Sequence, residues 1–332
     1  MQVIIPVAGI GSRLRPHTHT QPKSLIPVAG KPILAHIIQP LIDAGFNDFI
    51  FIIGYLGDKI EEYITQNFPN INTHFIIQTT GKGIGHAIWL AKDYINNEKE
   101  LMIVLGDTIF DTNLNNFINS PFSLLGVKKV SDPRSFGVAE LDGQGFISKL
   151  VEKPNIPKSN LALVGLYKIK ETDQLIEALE YNIENKIKTQ NEYHLTDALM
   201  RMVDAGVQFR TQEIDNWFDC GKKDMLLETN STLLKRQKPM EVKTYENTII
   251  IPPVYIDPTA QISNSIIGPF VSIGDSAVIK YSILKDSIIG PHSYLENAIL
   301  HHSLIGNDAS FQGVQQSLNI GDSTEINFGN EI

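Results

Sequence analysis

A single cysteine, Cys220, stands in 332 residues, so no internal disulfide can staple the fold and stability has to come from buried apolar surface. No apolar run approaches the roughly 18 residues of a membrane span. The N-terminus lacks a basic segment followed by an uninterrupted apolar one, so no secretory leader is expected and the cytoplasm is the expected compartment. Positive charge is in the minority, with 28 Lys and Arg against 37 Asp and Glu and a net charge of −9. That balance removes the extended basic face that non-specific nucleic-acid binding needs. One absence is local and of the opposite sign: residues 1–42 contain no Asp or Glu at all.

What is present is an ordinary globular composition, 42% hydrophobic and 20% charged, long enough for two domains. In the acid-free stretch an apolar run, Val3 to Val7, ends at Gly9-Ile10-Gly11-Ser12 and is followed by Arg13, Arg15, Lys23 and Lys31. Glycines leaving a strand let backbone N–H groups approach an anion, and Arg and Lys supply the charge that dipoles cannot. An anionic ligand is therefore expected. The two common phosphate motifs do not fit: a dinucleotide fingerprint needs a third glycine where Leu14 stands, and a P-loop needs Gly-Lys-Ser/Thr, which is absent.

Downstream, apolar positions 33, 34, 37, 38, 41 and 42 predict a helix opening at Pro32, kinked at Pro40 and ending at Gly45. Phe49 to Ile53 reads as a strand buried on both faces, Asp58 to Phe68 as a helix and Thr73 to Gln78 as a strand. The glycine-rich turn from Gln78 to Ala87 precedes a helix expected to carry Ile88, Ala91 and Ile95, and His86 in it reads as a packed or capping residue with no chemistry. Leu101 to Leu105 forms the next strand and delivers Asp107. This alternation implies parallel pairing, with ligands beyond the carboxyl ends of the strands. An aspartate there, beside phosphates, suits Mg²⁺, which takes hard oxygen donors.

Strand-like runs at 124–130, 137–141, 146–152 and 161–169 suggest a lobe laid over that sheet. A helix is expected to begin within Glu192 to Asp197, capped by Thr196 or nearby groups. Trp217 and Phe218 are expected in the core at a strand end, with Cys220 an inert buried thiol. After a helical stretch from Lys222 to Lys238 the composition changes. A unit then recurs at Ile256, Ile267, Ile273, Ile289, Ile305 and Ile320, five of these isoleucines being followed by glycine and turn residues. Aliphatics every five or six residues resemble the hexapeptide repeat of left-handed parallel β-helices, with small residues at the corners and roughly four coils. A sandwich would need longer alternating strands.

Gly9-Ile10-Gly11-Ser12-Arg13-Leu14-Arg15-Pro16-His17-Thr18 and Pro22-Lys23-Ser24-Leu25-Ile26-Pro27-Val28-Ala29-Gly30-Lys31-Pro32 closely resemble the signature of the sugar-1-phosphate nucleotidyltransferases, or NDP-sugar pyrophosphorylases. Ser12 replaces its threonine and Ala8 a frequent glycine. The resemblance implies an α/β fold with a Rossmann-like, mostly parallel sheet, followed by the β-helix, and formation of an NDP-sugar and pyrophosphate from an NTP and a hexose 1-phosphate. It implies nucleotide contacts from Ala8, Gly9, Gly11 and Ser12, with Gln78 and Gly83 reading the base. Arg13 would grip the leaving pyrophosphate and Lys23 the reacting phosphates. Gly137, Glu152, Lys153 and Gly165 would hold the sugar phosphate, and Asp107 and Asp219 the Mg²⁺.

Gly83-Ile84-Gly85-His86-Ala87 is similar to the thymidylyl and uridylyl branches acting on glucose 1-phosphate, a mannose-1-phosphate guanylyltransferase being the alternative within the class. Two other classes stay open: an added acetyltransferase in the β-helix, with His301 or His302 as base, and a non-catalytic nucleotide-sensing subunit. The expected layout is a catalytic domain over 1–238, a linker over 239–250 and a β-helix over 251–332. No nucleic-acid or membrane partner is expected, and the exposed coils of a β-helix favour a homo-oligomer.

Overall fold

The computed structural model describes residues 1–238 and 243–314, and the chain divides into two compact units, Met1–Arg236 and Gln237–Ile332. The sixth repeat unit, at Ile320, lies outside the described residues.

In the first unit β1 (Gln2–Pro6) is followed by α1 (Ile33–Asp43), β2 (Asp48–Ile53), α2 (Gly57–Asn67), β3 (Asn72–Ile77), α3 (Ile84–Leu90) and β4 (Leu101–Val104). β1 lies between β2 and β4 and pairs with both in parallel, and β3 extends β2 in parallel. The continuous apolar runs are explained by burial on both faces: Val3, Ile4, Ile5 and Phe49 to Ile52 are fully enclosed. α1 starts one residue later than expected, because Pro32 is used in a two-residue hairpin against Pro27–Val28. α3 stops at Leu90, so Ile95 reaches the core from beyond a 3₁₀ turn at Lys92–Tyr94 instead of from the helix face.

The next strands are β5 (Thr108–Asp111), β6 (Ser123–Lys129), β7 (Gly137–Leu141), β8 (Ile147–Glu152) and β9 (Leu161–Ile169). They correct the expectation of a separate lobe over the sheet. β9 pairs antiparallel with β4, β6 and β7, and β8 hangs on β7, so these strands continue the same sheet. α4 (Thr172–Glu184) and α5 (Leu195–Asp204) follow. β10 (Phe209–Glu213) then completes nine strands by pairing in parallel with β6. The sheet is therefore mixed, parallel around β1 and antiparallel around β9. Finally β11 (Asn216–Asp219) forms a two-stranded ribbon with β5, and α6 (Lys223–Arg236) closes the unit.

The second unit is the expected left-handed β-helix. Among the described residues its parallel strands stack in three columns of four, registered as Ile250, Ile267, Leu284, Leu300; Val254, Val271, Ser287, Ser303; and Ile262, Ile279, Leu295, Phe311. Left-handed backbone recurs every 16 or 17 residues at three corners: Asn264, Tyr281, Asn297; Phe270, Asp286, His302; and Ser276, His292, Asp308. Asn, Asp and His tolerate that region better than most residues. The small residues fill the space just after the first of these corners: Ser265, Ser282 and Ala298 are buried, and each serine hydroxyl accepts the backbone N–H one coil on.

Candidate active site

The carboxyl ends of β1, β2 and β4 meet at a cleft of about 890 Å³. Their approach is close: a Cβ on Gly106 would stand 2.2 Å from Val7 Cγ1, so only glycine lets the turn after β4 pass the end of β1. Of the residues expected to meet the nucleotide, Ala8, Gly9, Gly11, Ser12, Arg13, Lys23, Gln78 and Gly83 line this cleft, together with Asp107. Gly11 has φ +68°, and its carbonyl accepts from the Thr18 hydroxyl at 2.9 Å, which fixes the loop that carries Arg13.

Lys23 Nζ sits 2.6 Å from Asp107 Oδ2. Burial opposes ionisation of Asp107, but Lys23 and then Arg13 outweigh it and hold the carboxyl below its ordinary range. The β5–β11 ribbon brings in Asp219, whose register partner is Thr108. Burial, then the charge of Asp107, push the Asp219 carboxyl above its ordinary range against the pull of Lys23 and Arg13. Arg13 reaches the same spot: a Cβ on Gly221 would be 2.9 Å from both an Arg13 terminal nitrogen and Asp219 Oδ1. Two carboxylates and two cations are thus gathered from three distant segments.

Among the described residues no group of three or more His, Cys, Asp or Glu is placed to enclose a metal. Asp107 and Asp219 nevertheless fit a magnesium ion, which is commonly held by one or two carboxylates and completed by phosphate and water. Their mutual repulsion is the charge pattern such an ion relieves.

A second group forms around Glu152, at the end of β8. Its Oε2 accepts from Thr196 Oγ1 at 2.7 Å, and its Oε1 lies 3.5 Å from His194 Nδ1 and 3.7 Å from Lys153 Nζ. A Cβ on Gly137 would be 3.1 Å from both Glu152 Oε2 and Thr196 Oγ1, so Gly137 adjoins the same carboxylate. Lys153 is held at φ +43°, an unusual backbone for lysine of the kind that clusters at functional sites. Two buried polar atoms here, His194 Nε2 and Asp197 Oδ2, have no hydrogen-bond partner. Gly165 stands apart: at φ +83° it lies against Leu105 on the β4–β9 seam. Glu152, Lys153, Gly137, Gly165 and Asp219 do not line this nucleotide-side cleft.

Thr196 is inside α5 and serves Glu152, which corrects its expected role as a cap. Trp217 and Phe218 are half-buried rather than core, and Trp217 packs edge-on against Phe136 at 4.8 Å. Cys220 is fully buried, and burial pushes its thiol up to about 12, in keeping with an inert residue. The segment Glu192 to Asp197, which the sequence marks as a helix start, also joins the two groups. Glu192 lines the cleft, Tyr193 donates its N–H to Lys82 O and accepts from Gly85 N–H, and His194 and Thr196 meet Glu152. The stretch Glu192-Tyr193-His194-Leu195-Thr196-Asp197 resembles the family's Glu-x-x-Leu-Thr-Asp, which shapes the sugar side, but the sequence does not show its contacts with the cleft and with Glu152.

A family model described as nucleotidyl transferase matches residues 2–236. A glucose-1-phosphate thymidylyltransferase of Streptomyces antibioticus is 31% identical over 96% of this chain and 94% of its own. A bifunctional protein GlmU of Methanocaldococcus jannaschii is 38% identical over 77% of this chain, and the match spans 60% of that relative's length. Among solved structures, a UDP-glucose pyrophosphorylase complexed with UDP-glucose superposes with a TM-score of 0.62 at 24% identity, over 71% of this chain and 99% of that one. That last likeness concerns the fold.

Proposed function

The chain belongs to the nucleotidyl transferase family and is a sugar-1-phosphate nucleotidyltransferase, and on that premise we propose the substrates and the residue roles. The reaction joins an NTP and a sugar 1-phosphate into an NDP-sugar and pyrophosphate. Glucose 1-phosphate with dTTP or UTP is the pair we assign. The observation that carries the assignment of roles is the convergence of Arg13, Lys23, Asp107 and Asp219 at the strand ends, beside a glycine-lined cleft.

The acceptor phosphate oxygen attacks the α-phosphorus in line with the departing pyrophosphate. No covalent protein intermediate is needed, so the residues position two anions and offset their repulsion. Arg13, at the rim of the glycine loop, holds the leaving pyrophosphate. Lys23 carries positive charge to the reacting phosphates. Lys153 holds the acceptor phosphate, while Glu152, steadied by Thr196 and His194, takes sugar hydroxyls beside Gly137. Gly165 shapes the seam behind that pocket, and Gln78 and Gly83 face the base. The family generally works with a divalent metal. Asp107 and Asp219 would hold it as Mg²⁺, which would supply charge neutralisation of the phosphates.

In this reading residues 1–238 form the catalytic domain, 239–250 a linker whose last two residues, Ile249 and Ile250, already pair with the first coil, and 251–332 the β-helix of a cytoplasmic homo-oligomer. Among the described residues no helix is long and apolar enough to cross a membrane. One observation favours a second reading, with acetyl transfer added in the β-helix: His302 Nδ1 lies 2.6 Å from Asp286 Oδ2, an imidazole–carboxylate pair at a coil corner, and a relative is named bifunctional.

The test is a pyrophosphate-release panel crossing dTTP, UTP, GTP, CTP and ATP with several hexose 1-phosphates, with and without a chelator. Release from dTTP or UTP with glucose 1-phosphate, lost on chelation and restored by Mg²⁺, is expected. Nucleotide binding without release for any sugar phosphate would sink the assignment. Acetyl transfer from acetyl-CoA to an amino-sugar phosphate decides the second reading.

A further inference from the structure

The amide of Gln78 has a donor end and an acceptor end, and its surroundings fix which is which. Nε2 lies 3.3 Å from Gly83 O and 3.0 Å from His86 Nδ1. A backbone carbonyl can only accept, so the end turned toward Gly83 is the NH₂ group. His86 Nδ1 must then accept the other amide proton, and the imidazole carries its own proton on Nε2. The ring is held in place: it is 8% exposed, tilted against Trp89 at 5.9 Å and stacked toward Tyr193 at 6.3 Å. Burial, then the charge of Lys82, lower its pKa and favour the neutral form that this arrangement needs.

The other end of the amide is left open. Gln78 Oε1 takes no hydrogen bond from the described residues and is not among the polar atoms sealed from solvent, while Gln78 lines the nucleotide cleft. The cleft therefore meets an acceptor at this position. Uracil and thymine carry N3–H and guanine N1–H on the Watson–Crick edge, each able to donate to that oxygen. Cytosine N3 and adenine N1 are acceptors and would set lone pair against lone pair.

We propose that His86 is a positioning residue that locks the Gln78 amide with its oxygen toward the base, so that the site selects nucleobases protonated on the ring nitrogen of the Watson–Crick edge. The proposal rests on the reading of this cleft as the nucleotide site. Ile84, which lines the same cleft, offers only backbone groups to polar partners.

The test uses full-length protein, with calorimetric Kd for UTP, GTP, CTP and ATP, and KM and kcat for the nucleotides that turn over. Wild type should bind UTP at least about tenfold more tightly than CTP, the cost of one unpaired buried polar contact. His86→Leu removes the shorter of the two contacts that hold the amide and leaves only the 3.3 Å one to Gly83 O, so the flipped orientation becomes accessible. It should bring CTP within about threefold of UTP, with a larger change in nucleotide KM than in kcat. His86→Asn, which can return an acceptor oxygen, should restore most of the preference. A merely structural histidine would lower affinity for all four nucleotides alike and leave their order intact. That pattern, or a wild type that binds CTP as tightly as UTP, overturns the proposal and leaves the nucleotidyltransferase reading standing. Absence of binding to any NTP by wild type removes both. Should His86→Leu fail to fold, His86→Phe, which keeps a ring against Trp89 and Tyr193 but offers no acceptor, should likewise bring CTP within about threefold of UTP, and an unchanged order of bases in it overturns the proposal.

Discussion

Lys23 Nζ lies 2.6 Å from Asp107 Oδ2, and the two residues come from loops 84 positions apart. The carboxylate keeps 39% of its side-chain surface open while the lysine keeps 12%. The pair is thus a cation parked on the carboxylate where a divalent metal is proposed to bind. When phosphates and metal enter, the lysine has a new anion to serve and the carboxylate a new cation. The ion pair stores neither charge unpaired before that exchange.

Asp107→Asn keeps the shape of this side chain and removes its charge. Lys23 is then released to the triphosphate in the free protein, so nucleotide affinity should hold or rise. Turnover should fall about 10²–10³-fold, the usual loss for one positioned polar group at a reacting centre. Pyrophosphate-release kinetics beside far-UV circular dichroism check this. Near-normal turnover in a folded variant would remove Asp107 from the proposed metal site.

Thr196→Val is close to isosteric and deletes the hydroxyl that donates to Glu152 Oε2 at 2.7 Å. A hydrogen bond to a charged group contributes about 1.5–3 kcal/mol. Glu152 is proposed to hold the sugar, so KM for the sugar 1-phosphate should rise about tenfold or more, while KM for the nucleotide stays within about twofold. Equal rises in both constants would show that Thr196 supports the fold and not the acceptor pocket.

Gly83→Ala meets two obstacles. The residue has φ +100°, and an added Cβ would stand 2.5 Å from Tyr193 O. The loop would have to leave Tyr193, whose backbone holds Lys82 and Gly85. A destabilisation of about 1–3 kcal/mol is expected, with a rise in nucleotide KM that exceeds the rise in sugar-phosphate KM. Thermal unfolding and substrate titrations measure the two effects. A variant as stable as wild type, with unchanged KM, would contradict the clamp.

Which parts of this site could be read in the sequence follows from how far apart the partners lie. The end of β1, the glycine loop and the Gly106-Asp107 turn were legible, because strand, turn and charge are local patterns. The β-helix was legible because its inward aliphatics repeat. The partnership of Thr196 with Glu152 was not, since 44 residues separate them and a threonine near a helix start reads first as a cap. His86 lies only eight residues from Gln78, but a histidine at a helix start reads first as packed or capping, and nothing local says that its ring faces the Gln78 amide. The sugar-side strands showed their spans but not their sheet, because nothing in an isolated strand says whether it pairs with β4 or stacks above it.

The β-helix carries the last test. Ile249, Ile266, Ile283 and Ile299 are in register on successive coils, one residue before the inward column of Ile250, Ile267, Leu284 and Leu300. They point outward as a ladder, and Ile249, Ile283 and Ile299 are 61%, 44% and 81% exposed. Lone exposed aliphatics are ordinary, but four stacked in a row on a flat face form a patch of the kind proteins cover. The homo-oligomer proposed for this enzyme has here a face to use. Covering one isoleucine contributes about 1.5–3 kcal/mol, so Ile299→Asp should weaken association at least about tenfold and lower the mass seen by light scattering. Because Ile299 already faces solvent within the chain, unfolding of the isolated subunit should change little. A wild type that is monomeric at all concentrations, or an Ile299→Asp protein of unchanged mass, would take the ladder out of the interface.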